Sequence, residues 1–267
     1  MLGDYLGFLE QRNGSVDGAF ATRDARMAEL HVPAPDASAP IDGATFRRNY
    51  AAYDGEGLSR EALALLAFVK VNAGEAYGVE LTRAAREHLH AGDDAYARVE
   101  RTVLREEDYH TRLLLGVVNH FDDVEVTDAW TPHWSLRLLI GGLVSVPGGL
   151  FHPLLLGSEL AGVFQFDWML RQVGHLFPDD PQVRESMEQR LIEILVDEVG
   201  HVAFNRIMTN RVGVGVAERI AGAVLSAAPM MTPELQALGL DGEARRQLAR
   251  FDYRDLPDEV RRRAFFV

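Results

Sequence analysis

The chain has 267 residues, 47% of them hydrophobic, which is enough apolar material for one large core or two small ones. It contains no cysteine, so disulfides, thiolate nucleophiles and iron–sulfur clusters are excluded, and any metal must be bound by nitrogen and oxygen atoms. The net charge of -13 disfavours nucleic acid and anionic membranes as partners, because contact with phosphates requires clustered lysine and arginine.

Residues 1–58 are rich in glycine, alanine, proline and aspartate, and are predicted to form a loop-rich arm with one or two short helices. We call this segment the N-terminal arm and predict no chemistry for it. Its first residues, MLGDYLGFLEQRNG, lack the basic segment and the small-residue cleavage site of a secretory signal. Together with the absence of cysteine, this leads us to expect a cytoplasmic protein.

From residue 59 onward the composition changes to long helical patterns, with almost no strand signal. Ser59 is the expected N-cap of the first helix. Four long patterns with short pairwise connections and one long central connection, residues 121–152, are typical of an antiparallel four-helix bundle with a crossover. The fold class is therefore predicted to be all-α. The long helices are predicted at residues 59–90, 94–120, 153–177 and 181–209.

The central connection has to be weighed against a membrane span. Residues 138–158, LLIGGLVSVPGGLFHPLLLGS, contain no charged side chain over a length that could cross a bilayer. Pro147 and Pro153, with two glycines between them, would interrupt a helix midway and leave backbone groups unpaired in lipid. The sequence therefore predicts two short buried helices with a turn between them, the first at residues 134–146, and no membrane contact.

The C-terminal residues also favour helix. A further helix is predicted at residues 212–228, and the tail that follows it is predicted to close the bundle. We therefore expect one structural domain in three parts. These parts are the N-terminal arm (1–58), a four-helix bundle (59–209) and a C-terminal helical extension (210–267).

Two of the long helices carry a glutamate and a histidine three residues apart on an apolar face. In the fourth helix, IEILVDEVGHVAFNRIM, Glu198 and His201 follow the helical spacing of the buried residues. In the second, VERTVLREEDYHTRLLLGVV, Glu107 and His110 repeat this arrangement. Buried carboxylates are costly unless a positive charge compensates them, so the repeated pattern indicates a cation in the interior.

The first and third long helices each carry a single glutamate on an apolar stripe, Glu75 and Glu159. The four glutamates together would be neutralised by two divalent cations, while neutral imidazoles add no charge. We therefore predict a dinuclear metal centre. Carboxylate and imidazole ligands suit iron in oxygen chemistry and do not exclude manganese. The predicted ligands are Glu75, Glu107, His110, Glu159, Glu198 and His201.

The acids immediately before the two motif glutamates are predicted to support the centre. Glu106 lies four residues before His110, and Asp197 lies four residues before His201. We expect each acid to bind the histidine of its own helix, at the imidazole nitrogen that does not face the metal, and so to fix the tautomer. Glu193 is expected to be solvated, and the histidines outside the motifs are expected to lie mostly at the surface.

The series Glu75, EEDYH, Glu159 and DEVGH resembles the signature of the ferritin-like di-iron carboxylate superfamily of oxygenases and oxidases, over residues 59–209. The acid before each motif glutamate is similar to the arrangement in bacterial multicomponent monooxygenases. The resemblance implies two iron ions, with manganese allowed in either position, and O2 as co-substrate. It implies an enzyme that hydroxylates, desaturates or oxidatively cleaves a small organic substrate. The expected partners are this substrate, a reductase or ferredoxin as electron donor, and a second copy in a homodimer.

Within this interpretation Glu159 is assigned a catalytic role. Gly157 and Gly162 flank it and could loosen its helix, so its carboxylate is predicted to be the one most free to shift during the reaction. The aromatic residues Tyr109 and Phe166 are expected to pack in the core rather than to relay electrons.

Three alternatives stay open. Ferritins resemble the same series, so a ferroxidase or iron-storage protein is one of them, although the chain outside residues 59–209 favours an enzyme with a substrate cavity. The p-aminobenzoate N-oxygenases are also similar, but they add a third histidine where this chain has Ile194, which disfavours N-oxygenation of an amine. A helical bundle without metal chemistry is the third.

Overall fold

The computed structural model is all-α, and its described residues contain no strand, which confirms the predicted fold class. The described residues are 1–14, 20–30, 41–87, 91–118, 134–146, 148–240 and 251–267, together with 120–121, 124, 126, 132, 242 and 246. The helices are α1 (Leu2–Asn13), α2 (Ala21–Leu30), α3 (Gly43–Ala51), α4 (Arg60–Ala85), α5 (Ala95–Val118), α6 (Trp134–Val144), α7 (Gly148–Leu176), α8 (Pro181–Met208), α9 (Arg211–Met231), α10 (Pro233–Ala237) and α11 (Asp258–Arg263), with a 3-10 turn at Tyr253–Asp255.

The described part of the N-terminal arm contains three helices, more than the one or two that the sequence predicted. α1 buries Tyr5 and Leu9, and α2 buries Met27, so each is held by a short apolar face. α3 begins after the N-cap Asp42, whose Oδ1 accepts a hydrogen bond from the Ala44 N–H at 3.1 Å. Such short helices give a weak periodic signal, and tertiary packing rather than propensity stabilises them.

Four long helices, α4, α5, α7 and α8, follow the predicted patterns to within about five residues at their ends. Ser59 caps α4 as predicted, since its Oγ accepts a hydrogen bond from the Ala62 N–H at 3.1 Å. α4 packs on α5 and α7, and α8 also packs on α5 and α7. Each of the four helices therefore presents a face to a common interior, which buries their apolar side chains.

The central connection differs from the prediction of two short buried helices. The first helix, α6, is short, but the second is the start of α7, which runs through Pro153 without a break. Pro153 is the sixth residue of α7, so it removes one backbone hydrogen bond near the N-terminal end of the helix. Leu138 and Leu150 are 67% and 52% exposed, so the segment is also not wholly buried.

One helix among the described residues, α4, has the length and hydropathy that a membrane span requires. Of its most apolar window, 56% is buried inside the protein, as is common for a core helix. The uncharged residues 138–158 do not form one helix, because α6 ends at Val144 and α7 begins at Gly148.

The C-terminal helices close on the long ones. α9 covers the predicted residues 212–228 and packs along α7, and α11 packs on α8. α10 is fixed to α4 by a buried ion pair, in which Lys70 Nζ donates to Glu234 Oε1 at 2.6 Å. Both side chains are buried, so displacement of α10 would leave the buried Lys70 charge without the Glu234 carboxylate.

Gly157 allows α7 and α9 to approach closely. A Cβ atom added at this position would lie 2.6 Å from the Ala217 carbonyl oxygen and 2.7 Å from Ile220 Cβ. We expect Gly157→Ala to destabilise the protein by about 1–3 kcal/mol, because backbone must move to relieve the overlap. Thermal unfolding measures the change. As a matched control, Gly222→Ala in α9, where nothing lies within 4 Å, should stabilise by about 0.5–1 kcal/mol; equal effects of the two variants would contradict the account.

Candidate metal centre

Side chains from the long helices meet at one point in the interior. Ligand atoms of Glu107, Glu159, Glu198 and His201 all lie within 4.8 Å of one another. His201 Nδ1 lies 3.1 Å from Glu107 Oε1 and 4.0 Å from Glu159 Oε2. These four residues come from three different helices, so the cluster is assembled by tertiary packing.

The two remaining predicted ligands reach the same cluster. His110 Nδ1 lies 3.3 Å from Glu198 Oε1 and 3.5 Å from Glu107 Oε2. Glu75 is close enough to both of these carboxylates for their charge to raise its pKa. The structure therefore brings five of the six predicted ligands into contact, and Glu75 in α4 is near enough to be affected by their charge. We call this group the metal cluster.

The donor atoms of the metal cluster fit a cation. His110 Nδ1, His201 Nδ1 and Glu75 Oε2 are buried, and none of them has a hydrogen-bond partner among the described residues. Buried polar atoms are rarely left unpaired in folded proteins. A positive ion held between the two Nδ1 atoms and the carboxylates satisfies all three, so this group could bind a metal.

The supporting acids bind the histidines crosswise, which corrects the prediction that each binds the histidine of its own helix. Asp197 Oδ2 in α8 lies 3.1 Å from His110 Nε2 in α5, and Glu106 Oε2 in α5 lies 3.1 Å from His201 Nε2 in α8. Because each imidazole turns Nδ1 to the cluster, its Nε2 reaches past its own helix to the neighbouring one. The acceptors fix Nε2 as the protonated nitrogen and leave Nδ1 to bind a metal.

The N-terminal arm, for which the sequence predicted no chemistry, completes this arrangement. Arg23 Nη2 in α2 donates to Glu106 Oε1 at 3.2 Å and also to Asp197 Oδ1. Arg23 Nε donates to Asn13 Oδ1 at 2.5 Å, and Asn13 Nδ2 donates to Glu106 Oε1 at 2.8 Å. Arg12 Nε donates to Asp197 Oδ1 at 2.5 Å. The arm thus compensates the charge of both acids that hold the histidines.

Glu193 was expected to be solvated, and this prediction is wrong. The residue is 1% exposed, and its carboxylate binds the guanidinium groups of Arg12, Arg23, Arg26 and Arg263. These arginines come from α1, α2 and α11. A position off the buried stripe of α8 becomes buried because the arm and the C-terminal helix cover it.

The charges around the metal cluster shift its pKa values strongly. Burial lowers the pKa of His110, but the hydrogen bond with Asp197 and the nearby glutamates outweigh it and raise the pKa well above its usual range. The pKa of His201 is raised in the same way by Glu106 and Glu107. Burial would raise the pKa of Asp197, yet Arg12 and Arg23 hold it well below its ordinary value. These surroundings favour the charged forms of both imidazoles and of Asp197 when no metal is bound.

Metal affinity is expected to rise with pH. Burial and neighbouring carboxylates raise the pKa values of Glu75 and Glu159 well above their usual range, and those of His110 and His201 are also raised. A cation must displace these protons, so affinity should keep rising above pH 6.5, the ordinary histidine value. Calorimetric titration with Zn2+ in buffers of different ionisation enthalpy counts the protons released. Affinity that is independent of pH, with no proton release, would count against the cluster as the binding site.

Of the three histidines outside the motifs that the structure describes, His152 and His120 are buried. His152 Nδ1 lies 2.9 Å from Asn205 Oδ1 and its Nε2 lies 3.0 Å from Tyr96 Oη. His120 Nε2 lies 2.9 Å from Ser186 Oγ. His175 is exposed as expected, and His31, His88, His90 and His133 lie outside the described residues.

The two glycines beside Glu159 leave room for neighbouring groups. Gly157 lies against α9 at the close approach described above. At Gly162, an added Cβ would lie 3.4 Å from Glu198 Oε2, so this glycine leaves room for the cluster carboxylates. Glu159 itself lies in the cluster, and its side chain is 16% exposed.

No protein-family model, no curated protein and no solved structure matches this chain. The class of protein is therefore described from the fold and the site alone. The chain is an all-α protein with a buried carboxylate and histidine cluster that could hold a metal ion.

Proposed function

We propose that the chain is a non-haem di-iron oxygenase or oxidase of the ferritin-like carboxylate type. In this proposal α4, α5, α7 and α8 are the four-helix bundle, and the connection between α5 and α7 is its long crossover. The observation that carries the proposal is that two buried imidazole Nδ1 atoms, neither with a hydrogen-bond partner among the described residues, face the carboxylates of Glu107, Glu159 and Glu198. Carboxylates and imidazoles in a bundle core are the donors that such di-iron proteins use.

The residues of this chain would hold two iron ions, with manganese as the other metal that the donors suit. Glu75, Glu107, Glu159 and Glu198 balance the charge of two divalent ions, and His110 and His201 each contribute Nδ1. Bound iron supplies the redox chemistry that activates O2. The protein keeps the imidazoles in one tautomer through the crosswise acids, and it excludes water from the histidine side by burial.

The proposed reaction is hydroxylation, desaturation or oxidative cleavage of a small organic substrate, with Glu159 as the carboxylate that shifts. A reductase or ferredoxin would return electrons to the centre, and a homodimer is the proposed assembly. N-oxygenation is disfavoured, because Ile194 occupies the place of the additional histidine and is fully buried. A ferroxidase would use the same cluster, so it remains the competing function.

Anaerobic loading with Fe2+ followed by exposure to O2 tests the proposal. We expect about two iron ions per chain and O2 consumption that depends on the loaded centre. A storage protein would instead form a large shell and accumulate many irons in each chain, and a bundle without metal chemistry would bind none and lose no stability on chelation.

A matched pair of variants assigns the signal to the cluster. Glu75→Gln should reduce both iron content and O2 consumption, because it removes one charged ligand. Glu80→Gln in the same helix removes an exposed carboxylate and should change neither. Equal iron content in wild type and Glu75→Gln would remove Glu75 from the proposed ligand set.

A further inference from the structure

The two sides of the metal cluster differ in how far solvent reaches them. On one side the side chains of His110 and His201 are 1% and 0% exposed, and the N-terminal arm covers their acids. On the other side the side chains of Glu107 and Glu159 are 11% and 16% exposed. A molecule that approaches from solvent therefore meets the glutamates first.

α4 is packed tightly in one part and loosely in the next. Residues 64–72 are all buried, whereas residues 73–79 are all half-buried, whichever way they face around the helix. A helix that packs closely has a buried face and an exposed face, so half-burial on every side means that α4 is only loosely covered here. A Cβ atom added at Gly74 would have nothing within 4 Å, whereas one added at Gly78 would lie 3.9 Å from Ile140 Cγ2. Glu75 lies in this loosely covered stretch.

Asn72 lies at the border between these two parts and has an unpaired acceptor. Its side chain is 3% exposed, and Oδ1 is buried without a hydrogen-bond partner among the described residues. The residue is three positions before Glu75, so the two side chains are neighbours on one face of α4. Phe68 and Val71, which precede Asn72 in α4, are buried apolar side chains. The surroundings of Asn72 on this side are therefore apolar. A buried acceptor in such surroundings is costly unless a donor reaches it.

We propose that Asn72 determines substrate specificity by accepting a hydrogen bond from the substrate. The inference rests on the proposed function and specifies its substrate class. The substrate is a small, largely apolar molecule with one O–H or N–H group, and it lies beside α4 next to Glu75. Its donor binds Asn72 Oδ1, while its apolar part fills the space on the glutamate side of the cluster. A site that hydrogen-bonds a substrate group rejects the analogue without it, because its own polar atom is then left unpaired.

A pair of probes with the same shape tests this recognition. Binding of benzyl alcohol and ethylbenzene is measured by saturation-transfer NMR and calorimetry on the full chain, both metal-free and loaded with redox-inert Zn2+. Wild type should prefer benzyl alcohol at least tenfold, and Asn72→Leu should lose or invert the preference. An unchanged preference in the variant, or no binding of either probe to wild type, would overturn the proposal. Zinc content should be the same in both proteins; a loss of zinc in Asn72→Leu would make Asn72 a metal ligand instead.

Thermal unfolding provides a second readout. Asn72→Leu should not lower Tm, because it removes an unpaired acceptor. The matched control is Asn49→Leu, which should lower Tm, since Asn49 Oδ1 accepts hydrogen bonds from the N–H groups of Asp54 and Gly55. Equal losses in the two variants would show a structural partner for Asn72 and overturn the proposal. Neither readout uses O2, so selective binding without O2 consumption would reject the oxygenase and keep the recognition.

Discussion

Replacing Glu198 by alanine is expected to remove at least one metal ion per chain and to weaken metal binding by more than about 100-fold. Glu198 is 2% exposed, and its Oε1 lies 3.3 Å from His110 Nδ1 and 4.0 Å from His201 Nδ1. Like Glu107, it therefore lies beside both imidazoles. Without it, three glutamates can no longer balance two divalent ions in a buried site. Elemental analysis after gel filtration, with a competitive chelator titration, measures the loss.

The control for this variant is Glu185→Ala, in which an exposed carboxylate of the same helix is removed. Its metal content should equal that of wild type. Glu198→Gln should also lose metal, although it keeps the side-chain volume. Full metal content and unchanged affinity in both Glu198 variants would show that the cluster is not the binding site.

The second large effect is expected from Arg23→Met, a change in the N-terminal arm rather than in the metal cluster. Arg23 is 2% exposed and contacts Glu106, Asp197 and Glu193. Removal of one partner from a buried ion network leaves the other charges uncompensated and costs about 3–5 kcal/mol. Thermal unfolding should show a Tm lower by roughly 6–20 °C. Metal affinity should fall by about 10–100-fold, since the acids that orient the histidines lose their support.

The control for Arg23 is Arg83→Met in α4. Arg83 and Asp108 form an exposed pair, with 48% and 55% of their side chains accessible, so its loss should cost no more than about 1 kcal/mol. If Arg23→Met is as stable as Arg83→Met, then the arm does not compensate the supporting acids in solution. If it loses stability but keeps its metal affinity, the arm stabilises the fold without positioning the histidines.

The sequence by itself determined the helical class and predicted the side chains that the structure brings together at the candidate site. Helical spacing depends only on neighbours along the chain, so Glu107 with His110 and Glu198 with His201 could be placed on buried faces before any packing was known. The N-cap at Ser59 could be predicted for the same reason. The cost of burying several carboxylates then led to the prediction that these faces meet around positive charge.

Only the tertiary structure decided what surrounds the cluster. The pairing of acids and histidines depends on how far each imidazole reaches towards the next helix. His201 therefore binds Glu106 in α5, and His110 binds Asp197 in α8. The burial of Glu193 and the role of Arg23 depend on contacts between residues more than 150 positions apart in the sequence. No local pattern encodes such contacts, because they are selected by the free energy of packing the whole chain rather than by the spacing within one helix.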